Sequence, residues 1–220
     1  MQLTDIDEPV RNQLGFGEKI LKLGKPVFGS CWGLQINIHL LGGKIRTNPL
    51  DTELGVSRNI QLSDAGIKHP IYQGKPACFD ALSVHTDEVE SLPQHAVILA
   101  SNHHSNVQAV AYQRQGANFI GVQYHPEFTF GALSNIFKRI EDDMIEKQFC
   151  RNQADFQALV QDYEALHASY HQENAGENGK GKQRKDLLFH YGITPSVTDL
   201  DCHRLEIKNW LDGIAETKFS

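Results

Sequence analysis

The segment GSCWGLQ, residues 29–35, holds a cysteine in a position that suits a nucleophile. It follows a short apolar run at residues 25–29 and precedes a stretch with helical periodicity. Glycines two residues to either side of Cys31 let a strand and a helix cross closely, so Gly29 and Gly33 predict a tight nucleophile elbow. Amides at a helix N-terminus stabilise a thiolate, so the turn also predicts a lowered thiol pKa. A cysteine taken at random is more often a packing residue, but the paired glycines favour a reactive one.

A second segment, YHPE at residues 124–127, offers the base that a cysteine nucleophile needs. His125 and Glu127 are two residues apart at the end of an apolar run, and side chains at this spacing on a strand point to one side. Glu127 can then bind one ring nitrogen of His125 while the other faces Cys31, which orients the ring and stabilises the imidazolium. Such a pair alone is more often found on the surface. Combined with the cysteine turn, it predicts a catalytic triad.

Together, GSCWGLQ and YHPE resemble the marks of the class I, triad-type glutamine amidotransferases, GxCxGxQ and HPE. The resemblance covers roughly residues 10–145. Within that family the sequence is most similar to the stand-alone GMP-synthase-like glutaminases. These also tend to carry ELG, here residues 53–55, and a His-x-Asp element, here residues 85–87.

The resemblance implies that the side-chain amide of L-glutamine is hydrolysed to glutamate and ammonia, with no cofactor and no metal. Cys31 would form a thioester, His125 would protonate the departing ammonia, and the backbone N–H of Trp32 would supply half of the oxyanion hole. The residues that the family places against the substrate are Gln35, His85, Thr86 and Asp87. Several relatives carry glycine at the position of Thr86, so that contact stays open.

The remaining pattern describes the elements that must position these residues. Apolar runs predict strands at about 25–29, 56–62, 81–85, 96–100, 107–112 and 118–124. Helical periodicity predicts a helix over residues 8–23, interrupted near Gly15 and Gly17, and another over 129–147. The fold class is therefore α/β: a flavodoxin-like class I glutamine amidotransferase fold with a mixed sheet and its site at the carboxyl ends of the strands.

The pattern changes to helices only from Asn152 onward. A polar stretch at residues 172–185 interrupts them, and an amphipathic segment around Trp210 follows. We predict a glutaminase domain over residues 1–150 and a C-terminal helical extension over 151–220. The one basic cluster, interpreted as part of a solvated connector, consists of Lys180, Lys182, Arg184 and Lys185.

Family members carry two or more βα units before the nucleophile strand, and a glycine-containing loop among them donates the second oxyanion hydrogen bond. Only about 25 residues precede that strand here, and none of them has a strand-like pattern. The resemblance therefore implies a domain that is truncated at its N-terminus, with the triad present and one oxyanion donor missing. We expect low activity, because one such donor is typically worth about 10²–10³ in kcat.

Composition excludes several other classes of function. A formal net charge of -6 argues against a nucleic-acid partner, which would need clustered Lys and Arg. No apolar run approaches the roughly eighteen residues that span a membrane, and the start is not a secretory signal. The sequence therefore predicts a cytoplasmic protein with no membrane partner. The four cysteines are far apart and show neither disulfide nor metal-ligand spacing.

Two other functions fit the same residues. A γ-glutamyl peptidase or hydrolase would use the same triad in a pocket that admits a larger leaving group. A catalytically weak regulatory or binding homologue would keep the residues without using them. The sequence has no phosphate-binding loop of the GxxxxGK[ST] type, so an ammonia acceptor would be a separate synthetase or a small molecule.

Overall fold

The computed structural model describes residues 7–114, 116–170 and 180–216. These residues form two compact units: unit 1 takes them from Met1–Glu127 and Pro195–Ser220, and unit 2 from Phe128–Thr194. Both predicted catalytic segments lie in unit 1. The boundary predicted after residue 150 falls inside unit 2. A division into a glutaminase domain and an extension therefore stays a prediction.

Unit 1 contains a mixed sheet. The strands are β1 (Pro26–Ser30), β2 (Lys44–Thr47), β3 (Glu53–Leu62), β4 (Cys78–His85), β5 (Asp87–Ser91), β6 (Val97–Ser101), β7 (Ala109–Arg114) and β8 (Ala117–Val122). In the part of the chain that is described, six of them form one sheet in the order β1-β8-β7-β6-β3-β4, and β2 pairs with β5. β1 and β8 are parallel, whereas the other neighbours are antiparallel. The predicted mixed α/β sheet is confirmed, although β2 and β5 were not predicted.

Helices occur in both units, and a 3₁₀ turn spans Pro70–Tyr72. The helices are α1 (Glu8–Lys22), α2 (Trp32–Leu40), α3 (Asp64–Lys68), α4 (Phe130–Arg139), α5 (Glu141–Glu146), α6 (Gln153–Tyr170), α7 (Lys180–His190), α8 (Pro195–Thr198), α9 (Leu200–His203) and α10 (Leu205–Ala215). α4 to α7 belong to unit 2. No helix among the described residues is both long and apolar enough to cross a membrane.

The parallel pairing of β1 with β8 sets the position of the predicted site. Its register places Ser30 opposite Val122, so the two strands end side by side and Cys31 and His125 both follow at the same edge of the sheet. One core cluster joins buried residues of α2, including Leu34, to β7 and β8. Because α2 begins directly after Cys31, this packing also holds the cysteine turn against the sheet.

α1 is continuous, so the predicted interruption near Gly15 and Gly17 is wrong. The Asp7 side chain caps the helix by accepting a hydrogen bond from the Val10 amide, which satisfies one of its free N-terminal donors. A Cβ atom at Gly17 would lie 2.8 Å from Leu40 Cδ1. Gly17 therefore marks a close approach of α1 to α2 and not a break in the helix.

The helix predicted over residues 129–147 is divided at Ile140 into α4 and α5. Thr129 caps α4 through the Ala132 amide, as a helix start requires. Acidic residues fill the first turn of α5, where negative charge favours a new helix N-terminus. The prediction was correct in the type of element and wrong in its continuity.

Residues 180–185, which were predicted to be part of a connector, form the start of helix α7. The Arg184 guanidinium lies 3.9 Å from the ring centroid of Tyr170, a cation–π contact. The interpretation of the basic cluster as a connector is thus wrong, whereas Lys182 and Lys185 are exposed to solvent as predicted. Residues 171–179 of the predicted polar stretch lie outside the described residues.

Candidate active site

Cys31 occupies the single-residue turn between β1 and α2. Its backbone has φ 46° and ψ -102°, a left-handed conformation that residues other than glycine rarely adopt. The Cys31 amide donates to the Val122 carbonyl at 2.7 Å, and the Cys31 carbonyl accepts from the Gln35 amide at 3.0 Å. These two bonds hold the strained turn between the sheet and the first turn of α2.

The two glycines around Cys31, Gly29 and Gly33, differ in the space that is available for a side chain. A Cβ atom at Gly29 would lie 2.6 Å from the Gly33 carbonyl carbon, so the crossing of β1 and α2 excludes a side chain there. A Cβ atom at Gly33 would meet nothing within 4 Å. The predicted steric role is therefore correct for Gly29 and wrong for Gly33, which faces open space.

This difference predicts opposite results for two matched substitutions. Gly29→Ala forces α2 away from β1, and overpacking of this kind typically destabilises by about 1–3 kcal/mol. Gly33→Ala fits without a clash and reduces the freedom of the unfolded chain, so the free energy of unfolding should stay unchanged or rise by up to about 1 kcal/mol. Urea unfolding of both variants tests this. Equal destabilisation by the two would contradict it.

The His125 ring contacts the Glu127 carboxylate, which also accepts a hydrogen bond from Ser30. His125 Nδ1 lies 2.7 Å from Glu127 Oε1, and Ser30 Oγ donates to the same oxygen at 2.9 Å. Burial opposes ionisation of Glu127, but the hydrogen bond and charge of His125 hold the pKa of its carboxyl below the ordinary value. The predicted His125–Glu127 contact is present. Ser30 was not predicted, although its place beside Cys31 was a signal.

The surroundings of Cys31 favour the protonated thiol over the thiolate. Its sulfur donates to the Val84 carbonyl at 3.7 Å. Burial raises the pKa of Cys31 to about 12, a hydrogen bond from the Trp32 amide opposes this, and the charges of Glu127 and Asp87 add to it. The predicted lowering of the thiol pKa is therefore wrong, because desolvation outweighs the helix N-terminus. A base must remove the proton before the sulfur can attack.

Alkylation should reveal this raised pKa. We expect iodoacetamide at pH 7 to modify Cys31 at least about 100-fold more slowly in the folded chain than in urea, where a thiol has its ordinary pKa of about 8.5. In the folded chain the rate should go on rising above pH 9, since the folded-state pKa is about 12. Mass spectrometry of the Cys31 peptide against pH measures both rates. A plateau near pH 8–9 in the folded chain would contradict the expectation.

The residues predicted to bind the substrate lie together next to Cys31. Gln35 Nε2 donates to the Asp87 carbonyl at 2.9 Å, and His85 Nδ1 lies 3.0 Å from that same oxygen. The Thr86 hydroxyl bonds that of Thr52 at 2.9 Å. The segment 85–87 follows Val84, whose carbonyl accepts from the Cys31 sulfur. The structure therefore brings these predicted residues into one site, while their contact with a substrate stays a prediction.

Glu53, part of the ELG motif, fixes the position of the segment 85–87 through a hydrogen bond with His85. Its buried carboxylate accepts hydrogen bonds from His85 at 2.8 Å and from three further buried or half-buried side chains: Ser57, Asn102 and Gln108. Burial would raise the pKa of Glu53, but its hydrogen bond and charge interaction with His85 hold it below the ordinary value. The other ring nitrogen of His85 faces the Asp87 carbonyl, so both ring nitrogens lie within hydrogen-bond distance of an oxygen atom. The part of the chain that the structure describes contains no group of three or more His, Cys, Asp or Glu side chains that could hold a metal ion.

A mixed α/β sheet that carries a cysteine turn beside a His–Glu pair is the arrangement predicted for a class I amidotransferase. Residues 5–141 match the family described as glutamine amidotransferase class-I, and the chain belongs to that family. The predicted membership is thereby confirmed.

Proteins similar to this chain include γ-glutamyl hydrolases and peptidases as well as GMP synthases. The chain is 31% identical to a gamma-glutamyl-L-1-hydroxyisopropylamide hydrolase from Pseudomonas, over 92% of this chain and 65% of that protein. It is 32% identical to a glutamine-hydrolysing GMP synthase from Thermomicrobium roseum, over 54% of this chain and 21% of that protein. It is also 30% identical to gamma-glutamyl peptidase 5 from Arabidopsis thaliana, over 60% of this chain and 52% of that protein. The chain thus spans less than two thirds of the length of each.

Solved structures agree on the fold. A glutamine amido transferase from Methylobacillus flagellatus superposes with a TM-score of 0.62 at 16% identity, covering 97% of this chain and 73% of that one. A glutamine amidotransferase from Thermotoga maritima gives a TM-score of 0.58 at 17% identity, covering 85% of this chain and 71% of that one. The predicted class I glutamine amidotransferase fold is confirmed.

Proposed function

We propose that this chain hydrolyses the side-chain amide of L-glutamine to glutamate and ammonia with Cys31 as nucleophile, His125 as base and Glu127 as the group that orients the base. The observation that carries the proposal is the hydrogen-bonded series Ser30–Glu127–His125 beside the strained Cys31 turn. Two paired strands deliver these groups to one edge of the sheet.

The chemistry begins with a proton transfer, because burial raises the pKa of the Cys31 thiol to about 12. His125 takes the proton, the sulfur bonds to the amide carbon, and the carbonyl electrons move to oxygen, where the Trp32 N–H is a donor. The C–N bond then breaks, and the imidazolium gives its proton to the departing nitrogen, which leaves as ammonia. A water molecule, deprotonated by His125, attacks the thioester, and the C–S bond breaks to release glutamate and the thiol.

Recognition of the amino acid falls to the segment 85–87 and to Gln35. Glu53 and Gln35 hold this segment in position through buried hydrogen bonds. Preorganisation of this kind reduces the ordering needed when a substrate binds. The ammonia would pass to a separate synthetase or a small-molecule acceptor. A cytoplasmic location stays a prediction.

An irreversible inhibitor tests the proposal. A glutamine-derived diazoketone should alkylate Cys31 within minutes at pH 7, whereas iodoacetamide should react slowly with the protonated thiol. Free L-glutamine should protect Cys31 from the diazoketone, and L-lysine should not. Mass spectrometry locates the adduct. A chain left unlabelled at Cys31 would rule out this function and favour a regulatory or binding homologue.

A second candidate is the hydrolysis of γ-glutamyl amides with a larger leaving group. It is supported by the extent of the alignments, since the Pseudomonas hydrolase matches 92% of this chain and the GMP synthase 54%. The two candidates share the acylation step and differ in the amine released. The kcat/KM for ammonia release from glutamine, measured beside the kcat/KM for a γ-glutamyl alkylamide, separates them. A ratio above one in favour of the alkylamide would replace the first candidate with the second.

A further inference from the structure

Gln123 is a fully buried polar residue at the centre of the candidate site. It follows the last residue of β8, Val122, whose carbonyl accepts from the Cys31 amide. The Gln123 side chain therefore starts from a backbone position next to the cysteine turn. A buried amide needs partners for its nitrogen and its oxygen, because an unpaired buried polar group is unfavourable.

The orientation of the Gln123 amide follows from its neighbour Gln35. The Asp87 carbonyl can only accept, so the Gln35 atom 2.9 Å from it is the NH₂ group. The same Gln35 nitrogen lies 3.5 Å from Gln123 Oε1 and can donate its second hydrogen there. The oxygen of Gln123 is thereby directed to Gln35, and its nitrogen is directed away from Gln35.

That nitrogen, Gln123 Nε2, has no hydrogen-bond partner among the described residues. The Cys31 sulfur in its protonated form is a donor itself and is turned to the Val84 carbonyl. Once the proton leaves, the sulfur can only accept. We propose that Gln123 is a catalytic residue, whose Nε2 donates a hydrogen bond to the Cys31 sulfur when the sulfur becomes a thiolate.

Gln123 Nε2 stabilises the thiolate and not the thiol, because the sulfur becomes an acceptor only when it loses its proton during the reaction. A group that stays unpaired beside the thiol and gains a charge-assisted bond to the thiolate favours the charged form. In agreement with this, the Gln123 side chain lowers the pKa of Cys31 as a potential donor to the sulfur, against the larger effect of burial, which raises it. The inference deepens the proposed function, and it rests on that function only for the role of Cys31 as nucleophile.

The test measures the thiolate directly and does not depend on turnover. The rate of Cys31 alkylation by iodoacetamide is measured from pH 7 to pH 10 in the wild type, in Gln123→Met, which keeps the length of the side chain without a donor, and in Ser83→Ala. Ser83 is a matched control, because its hydroxyl is also buried and without a hydrogen-bond partner among the described residues. Gln123→Met should react about 10- to 100-fold more slowly at each pH, the loss expected for a hydrogen bond to a charged group.

The control and a second variant make the result decisive. Ser83→Ala should follow the wild-type pH profile, and Gln123→Asn, whose shorter side chain withdraws the donor while keeping an amide, should slow alkylation as Gln123→Met does. If Gln123→Met does not fold, Gln123→Asn carries the test. Wild-type rates in the folded Gln123 variants would overturn the proposal. A failed diazoketone reaction with an intact Gln123 effect would instead overturn the proposed function alone.

Discussion

Cys31→Ser should lower the rate of glutamine hydrolysis by at least about 10⁴-fold, the loss expected when a nucleophile is removed from a triad. The hydroxyl of serine is far less acidic than a thiol, and burial at this position already raises the pKa of the Cys31 thiol. His125 could not then generate enough nucleophile. The substitution changes one atom, so the free energy of unfolding should stay within about 1 kcal/mol of the wild type.

The measurement is glutamate production by the purified chain, with diazoketone labelling as a second readout in case the wild-type rate is low. Cys78→Ser is the matched control, because Cys78 is an exposed cysteine at the start of β4. It should leave both readouts unchanged. A Cys31→Ser variant that keeps the wild-type rate would exclude Cys31 as the nucleophile.

Lys75→Met should destabilise unit 1 by about 3–5 kcal/mol, the range for breaking a buried ion pair by removing one partner. Lys75 Nζ lies 2.9 Å from Glu206 Oε1, and both side chains are almost completely buried, at 1% and 0% exposure. Tyr124, the neighbour of His125 in sequence, donates to the same carboxylate at 2.7 Å. Without Lys75, the Glu206 carboxylate stays buried with its charge uncompensated.

Unfolding in urea, followed by tryptophan fluorescence, measures this effect in unit 1, because both tryptophans of the chain, Trp32 and Trp210, belong to that unit. Lys208→Met is the matched control: Lys208 pairs with Asp212 on the same helix as Glu206, but both side chains are more than half exposed. Exposed pairs of this kind contribute about 0–1 kcal/mol. A Lys75→Met variant no less stable than Lys208→Met would show that the buried pair contributes little.

The buried ion pair also explains why the tail could not be assigned from its pattern. The segment around Trp210 has an amphipathic pattern, which predicts that one face is covered but not what covers it. In the structure the ring centroids of Trp210 and Phe28 are 5.7 Å apart, and Glu206 bonds to Lys75, 131 residues earlier. Contacts between residues so far apart in sequence cannot be predicted from the local periodicity of either segment.

The sequence alone determined the features that depend on local chemistry. The glycine at position 29, the cysteine turn, the His125–Glu127 spacing and most strands were readable, because each rests on residues within a few positions of one another. The family follows from the same short segments. The continuity of α1 was misread, because the reason for Gly17 is the approach of α2 and not the conformation of its own helix.

Only the tertiary structure decided the electrostatic state of the site. The pKa of Cys31 depends on how completely other segments exclude water from the sulfur, and that burial outweighs the local amide of Trp32. The hydrogen bond from Ser30 to Glu127 joins residues 97 positions apart. The contact that orients Gln123 joins it to Gln35, 88 positions earlier. Desolvation and long-range hydrogen bonds arise from packing in three dimensions. Residue types and spacing therefore indicated the candidate catalytic residues but could not predict the direction in which the pKa of Cys31 is shifted.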